Sequence, residues 1–207
     1  MTAEAGLTAA QLAFFNAALF FAVAAPGPAF LVCVQTSLTA GRRAGMTTGL
    51  GLAVVAGLWT LAALAGLDAV FSAFPFVYTG MRVGGAVLIL AMAVQVWRTA
   101  RVPTEPTVPI SRRRAFLRGA LLNLGNPKSI LFSAGVLLVI FPPGLSMAEM
   151  ALITANHMAL EAAVYATLAH LLAVDVVRAR YLAAKPTLSR VMAVVLGGLG
   201  LRLLVTT

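Results

Sequence analysis

Residues 14–38 read FFNAALFFAVAAPGPAFLVCVQTSL. The flanks are what a helix crossing lipid is made of, yet Pro26-Gly27-Pro28 at their centre would form a loop in water. A membrane helix interrupted near the middle of the bilayer satisfies both halves of that pattern, provided the freed backbone groups face protein or a cavity.

Composition points the same way. The 207 residues are 61% hydrophobic and 10% charged, with a mean hydropathy of +0.97, which lies outside the range of soluble globular domains. The expected fold class is all-α, a polytopic membrane protein. A net charge of +9 would suit nucleic acid in a soluble chain, but here Lys and Arg fall between apolar segments and mark membrane topology. The expected partners are therefore the lipid bilayer and a small-molecule substrate, with no nucleic acid. A homodimer is compatible with the sequence. Cys33 is the single cysteine and sits in an apolar run, which excludes an intramolecular disulfide and a metal cluster built from Cys. No metal and no cofactor are expected. The AVAA before Pro26 resembles a cleavage site, but residues 1–15 contain Glu4 and no Lys or Arg, so the first apolar run is expected to stay in the mature protein.

With about 20 residues per crossing as the ruler, six segments emerge at about 11–40, 44–67, 76–97, 116–141, 147–174 and 189–205. The connections are short, at 41–44, 68–75, 98–115, 142–146 and 175–188. Arg42 and Arg43, then Arg98, Arg101, Arg112, Arg113, Arg114 and Arg118, then Arg178, Arg180, Lys185 and Arg190 all fall on one side of a six-span plan. The positive-inside rule makes that side cytoplasmic and puts both termini outside. The linker with Pro103, Pro106 and Pro109 divides the chain into halves of about 1–105 and 106–207 within one transmembrane domain. Three spans per half invert the second half relative to the first, the inverted-repeat plan of many secondary transporters. Arg82-Val83-x-x-x-Val87-Leu88 and Arg190-Val191-x-x-x-Val195-Leu196 are a weak internal match in keeping with it.

The counterpart of Pro26-Gly27-Pro28 is Asn126-Pro127-Lys128, also inside an apolar run. Lys128 falls about 15–18 Å into segment four, near mid-membrane. Asn is a preferred N-cap and Pro is favoured at the first helical position, so Asn126-Pro127 and Gly27-Pro28 can each start a half-helix. Two such N-termini, from opposite repeats and with free N–H groups, would suit a carboxylate. Lys128 adds a cation whose insertion costs about 2.5–3.5 kcal/mol. Thr154, His157, Glu161 and Tyr165 form a polar stripe at helical spacing on segment five. Three roles are open to Glu161: binding an ammonium, carrying a proton, or neutralising Lys128. His157, one turn away, is a candidate proton relay or a packing residue. Gly41, Gly45, Gly49, Gly51 and Gly57 suit close helix packing. The two His, one Cys, and absence of His-Glu-x-x-His and Gly-x-Ser-x-Gly motifs argue against an enzyme.

Pro26-Gly27-Pro28-x-x-Leu31-Val32, followed by Ser37, Gly41-Arg42-Arg43-Ala44-Gly45 and Gly49-x-Gly51, resembles the opening signature of the lysine exporter/RhtB-type amino-acid exporter family. Gly119-x-x-x-Asn123-x-x-Asn126-Pro127-Lys128 with Phe132 resembles its second signature, and Phe74-Pro75 with Arg82-x-x-Gly85 its third-span opening. Ala29 and Leu88 stand where the family often has Asn and Tyr. The resemblance implies a bacterial inner-membrane exporter of amino acids or related metabolites, driven by the proton motive force. Taken together with the reading of the residues, the expected substrate-binding positions are Pro26, Gly27, Pro28, Asn123, Asn126, Pro127, Lys128, Glu161 and Tyr165, and the expected proton coupling runs through Glu161 and His157. Alternating access is the expected mechanism; a channel or a membrane scaffold would also account for the polar stripe.

Overall fold

The structure, a computed structural model, describes residues 7–24, 27–67, 83, 87, 90–91, 93–98, 100–101, 110–141 and 144–205. Pro26 lies outside the described residues, as do Arg82, Leu88, Phe74-Pro75, Gly85, the linker prolines and most of the expected third segment. Among the described residues the chain is helix and turn with no strand, the all-α class the composition implies.

The first apolar run forms α1 (Ala9–Ala24) and α2 (Pro28–Ala40), whose axes diverge by 60°. Next come α3 (Arg42–Ala62), extended by a wider turn over Ala63–Leu67, then α4 (Arg112–Leu124) and α5 (Pro127–Ile140). The chain ends in α6 (Met147–Leu171) and α7 (Asp175–Val205). Both breaks have one cause. Pro28 and Pro127 sit in the first turn of α2 and α5, where the missing N–H costs nothing, but neither can donate back to continue the helix before it.

One boundary differs from the sequence expectation. Residues 175–188, expected as a connection, are helical and belong to α7, and Asp175–Val191 runs at 93° to α6. The charge in this stretch sits on Arg and Lys among Ala and Leu, all good helix formers, and Asp175 favours the helix start through the dipole. Among the described residues, Arg42–Gly66 alone is long and apolar enough to cross a membrane. The pairs α1 with α2 and α6 with Asp175–Val191 also qualify when each is taken as one bent span.

At the centre stands α3, packed between α4, α6 and α2. A single residue, Gly41, joins α2 to α3 at φ 85° and ψ 171°, a conformation open essentially to glycine alone. The α3–α4 contact is backbone on backbone. A Cβ on Gly51 would strike the Phe116 carbonyl oxygen, and one on Gly119 would strike that of Thr48. The Thr48 hydroxyl donates to Ala115 O at 3.1 Å across the same seam. Gly49 and Gly57 instead make room for side chains of α6, those of Tyr165 and Met158.

Over α5 and α6, α1 lays Phe15, Leu19 and Val23 into a core with Leu137, Phe141 and Ile153. Phe15 meets Phe141 edge-on at 5.5 Å. Three polar ties hold its N-terminal half. Gln11 Nε2 donates to Ile140 O at 3.1 Å. Asn156 Nδ2 donates to Asn16 Oδ1 at 2.6 Å. Leu7 N donates to Glu149 Oε1 at 2.7 Å, while the same carboxylate closes a capping box with Ser146 at the start of α6. The opposite side of α1 exposes Phe14, Phe20 and Phe21, a surface suited to lipid.

Candidate functional site

The starts of α2 and α5 meet at one cavity. Gly27, Ala29 and Phe30 line it from the first break, Asn126, Lys128, Ser129 and Phe132 from the second, and His157, Glu161 and Tyr165 from α6. Leu19, Ala22 and Val23 of α1 close its apolar side. Its volume is about 30 Å³, room for one or two waters.

Gly27 takes an extended conformation as N-cap of α2 without any side-chain cap, and its carbonyl accepts from Leu31 N at 3.0 Å. Pro28, at the first helical position, is buried beside the cavity. The N–H groups of this first turn have no helical acceptor of their own, so the α2 start presents donors. Pro127 takes the equivalent backbone position in α5.

The second break is capped by a closed amide network. Asn126 Oδ1 accepts from Lys128 N at 3.2 Å, and its Nδ2 donates to Asn123 Oδ1 at 3.0 Å and Ser129 Oγ at 3.2 Å. Asn123 Oδ1 also accepts from Ser129 Oγ at 2.6 Å, while Asn123 Nδ2 donates to Leu52 O on α3 at 2.6 Å. Trp59 Nε1 donates to the Asn123 carbonyl at 3.3 Å. Asn123 is fully buried and lies off the cavity; its amide oxygen already takes two donors, so it fixes the break. Asn126 lines the cavity with its side chain committed to the cap.

On α6 the stripe does face inward: His157, Glu161 and Tyr165 are all buried. His157 Nε2 lies 3.1 Å from Glu161 Oε2, one turn along the same helix. Its Nδ1 lies 2.5 Å from Thr60 Oγ1 on α3. Phe15 and Phe132 hold the imidazole edge-on at 5.6 and 6.0 Å between ring centres. Thr154 Oγ1, a further turn toward the start of α6, has no hydrogen-bond partner among the described residues. Among the described residues no group of three His, Cys, Asp or Glu could hold a metal ion.

Gly27, Asn126, Lys128, Glu161, Tyr165 and His157 are thus brought to one place, with Pro28 adjoining it and Asn123 behind it. Thr60 and Ser129 were not visible as site residues in the sequence. A threonine or serine in an apolar helix commonly bonds its own backbone, so neither residue type carries a signal. The one available signal is the spacing of Ser129, one turn past Asn126, which lets the two share a helix face.

The LysE type translocator family model matches residues 20–207. The threonine efflux protein of Salmonella typhimurium LT2 is 31% identical over 134 residues, which cover 61% of this chain and 65% of that protein. For the threonine efflux protein of Escherichia coli K12 the identity is 31% over 121 residues, covering 56% and 59%. For the homoserine/homoserine lactone efflux protein of Salmonella typhimurium LT2 it is 30% over 113 residues, covering 54% and 55%. The chain thus spans less than two thirds of the length of these relatives. No solved structure matches the chain.

Proposed function

Because the chain belongs to the LysE type translocator family, we propose that it is a proton-coupled secondary exporter of amino acids or closely related small metabolites across the bacterial inner membrane. Membership makes it a membrane transport protein and not an enzyme. The observation that carries the rest is the shared cavity: two interrupted helices deliver their starts, one cation, one carboxylate and one imidazole to a single buried point. The relatives' names give threonine, homoserine and homoserine lactone; the first two are α-amino acids, zwitterions with charges a few ångströms apart. Its carboxylate meets the N–H groups at the α2 start, together with Lys128; the α5 start adds only its positive dipole end, because Asn126 already takes the N–H groups of Lys128, Ser129 and Ile130. Its ammonium meets Glu161, with Tyr165 alongside, and Glu161 exchanges a proton with His157 when the ammonium leaves.

Six spans in two inverted repeats, with both termini outside and the arginine-rich segments in the cytoplasm, supply the motion. The repeats rock about the cavity and open it to each side in turn. At about 30 Å³ the cavity holds one or two waters, and it is expected to widen as it loads an amino acid. The wall expected to move is α1, held to α5 and α6 by side-chain contacts, whereas α2 is tied to α3 through the single residue Gly41 and α4 to α3 by backbone contact at Gly51 and Gly119.

The test is counterflow of radiolabelled threonine and homoserine in proteoliposomes. Lys128→Ala and Glu161→Gln are each expected to lower the rate about tenfold or more, the effect of losing a charge-assisted contact. Wild-type rates in both variants would overturn the assignment.

A further inference from the structure

Thr60 comes from α3, outside both breaks and outside the polar stripe of α6, yet its hydroxyl is fully buried and in contact with Nδ1 of His157. The other imidazole nitrogen faces Glu161. The three groups form one hydrogen-bonded line, Thr60 to His157 to Glu161, ending at the cavity wall. Both ring nitrogens are occupied, so the ring cannot rotate without breaking two bonds, and Phe15 and Phe132 flank it edge-on.

We propose that Thr60 is the positioning residue for proton transfer between His157 and Glu161, a hydroxyl able to serve both tautomers of the imidazole. This rests on the reading of Glu161 and His157 as the proton-coupling pair. When Glu161 is a carboxylate it can only accept, so Nε2 carries the hydrogen and Nδ1 accepts from the Thr60 hydroxyl. When the Thr60 hydroxyl takes a proton from water and passes its own hydrogen to Nδ1, the Nε2 proton passes to Glu161 Oε2. One proton has been added, Glu161 has become neutral, and the imidazole is neutral in its other tautomer. Nδ1–H now donates to Thr60 Oγ1, and the Glu161 hydroxyl donates to Nε2. A threonine or serine hydroxyl can reverse its role in this way because it is both donor and acceptor. An aliphatic side chain can do neither, and would leave Nδ1 buried without a partner in both tautomers. Among the described residues, the other ionisable groups around the line are Lys128 from α5 and Tyr165 from α6, which line the same cavity, and Cys33 of α2, whose thiol lies against the Tyr165 carbonyl.

The experiment compares wild type, Thr60→Val and Thr60→Ser in proteoliposomes carrying an internal pH dye. It reads substrate flux and proton flux together, across external pH 5.5 to 8.5. Thr60→Val fills the same space, and binding of labelled substrate is expected within about twofold of wild type. Its proton-driven flux is expected to fall about tenfold, with the protons moved per substrate reduced and the pH profile displaced. Thr60→Ser is expected to restore both. If wild type moves no protons with its substrate, the reading of Glu161 and His157 fails, and Thr60 with it. If wild type is proton-coupled and Thr60→Val keeps its proton-to-substrate ratio and pH profile, the role assigned to Thr60 alone is overturned. If Thr60→Ser loses flux as fully as Thr60→Val, the hydroxyl is not the operative group and the proposal is likewise overturned.

Discussion

Replacing Asn123 with alanine tests whether the second break is held by its amide network. The side chain is fully buried and makes three bonds: to Leu52 O at 2.6 Å, from Asn126 Nδ2 at 3.0 Å and from Ser129 Oγ at 2.6 Å. The first joins two helices, and such bonds in membrane proteins are worth about 0.6 kcal/mol on average and about 1.7 at most. Leu52 O also belongs to the α3 ladder, so its loss is at the lower end. The other two hold the break itself. Their donors can turn to each other, since Asn126 Nδ2 is already 3.2 Å from Ser129 Oγ, which reduces the cost to about 1 kcal/mol for the pair. Adding the void left by the amide gives about 2–3 kcal/mol for Asn123→Ala. Ser129→Ala alone should cost about 1 kcal/mol, and the double variant should cost less than the sum by about 0.5 kcal/mol or more, because both act through one network. Reversible unfolding of the purified protein in mixed micelles reads all three. A loss below about 0.5 kcal/mol for Asn123→Ala, or strict additivity with Ser129→Ala, would refute the argument that this network carries the α4–α5 break.

Gly51→Val should be among the most damaging single changes, since its side chain enters the Phe116 backbone and neither helix can yield locally. Loss of folded protein in detergent is expected, whereas Leu121→Ala, exposed on α4, should change stability by less than about 0.5 kcal/mol. Cys33 is fully buried, so a water-soluble maleimide should leave it unlabelled in the native protein and label it after denaturation; rapid native labelling would show that α2 separates from α3 and α6. Asn16→Cys with Asn156→Cys replaces a tie between α1 and α6 by a disulfide, and oxidation should arrest transport reversibly. Undiminished flux in fully cross-linked protein would mean that α1 is not the moving wall.

What the sequence made legible, and what it did not, divides along a physical line. Proline leaves a local mark, because the missing N–H and fixed φ act on the residue itself and its immediate neighbours, so the breaks before α2 and α5 could be placed by inspection. The inward face of α6 was legible for a related reason: polar residues at spacings of three and four can share one side of a helix, and a charge on that side cannot face lipid. The connection at 175–188 is helical, as Arg, Lys, Ala and Leu favour despite Pro186 within it, because charge in a membrane sequence marks where a span ends and not which backbone follows. Asn123 and Thr60 show the deeper limit. Each is one polar residue in an apolar helix, and what sets its role is a partner 71 or 97 residues away. Asn123, inside a recognisable signature beside the break, reads as a ligand residue, yet its amide is satisfied by Leu52, Asn126 and Ser129 before any substrate arrives. Thr60 has no signature and touches the imidazole next to Glu161. Spacing along a helix shows which residues can share a face. Whether a group on that face still has hydrogen-bonding capacity to offer a substrate depends on the helices packed against it, and that is fixed only when α3 is set between α4 and α6.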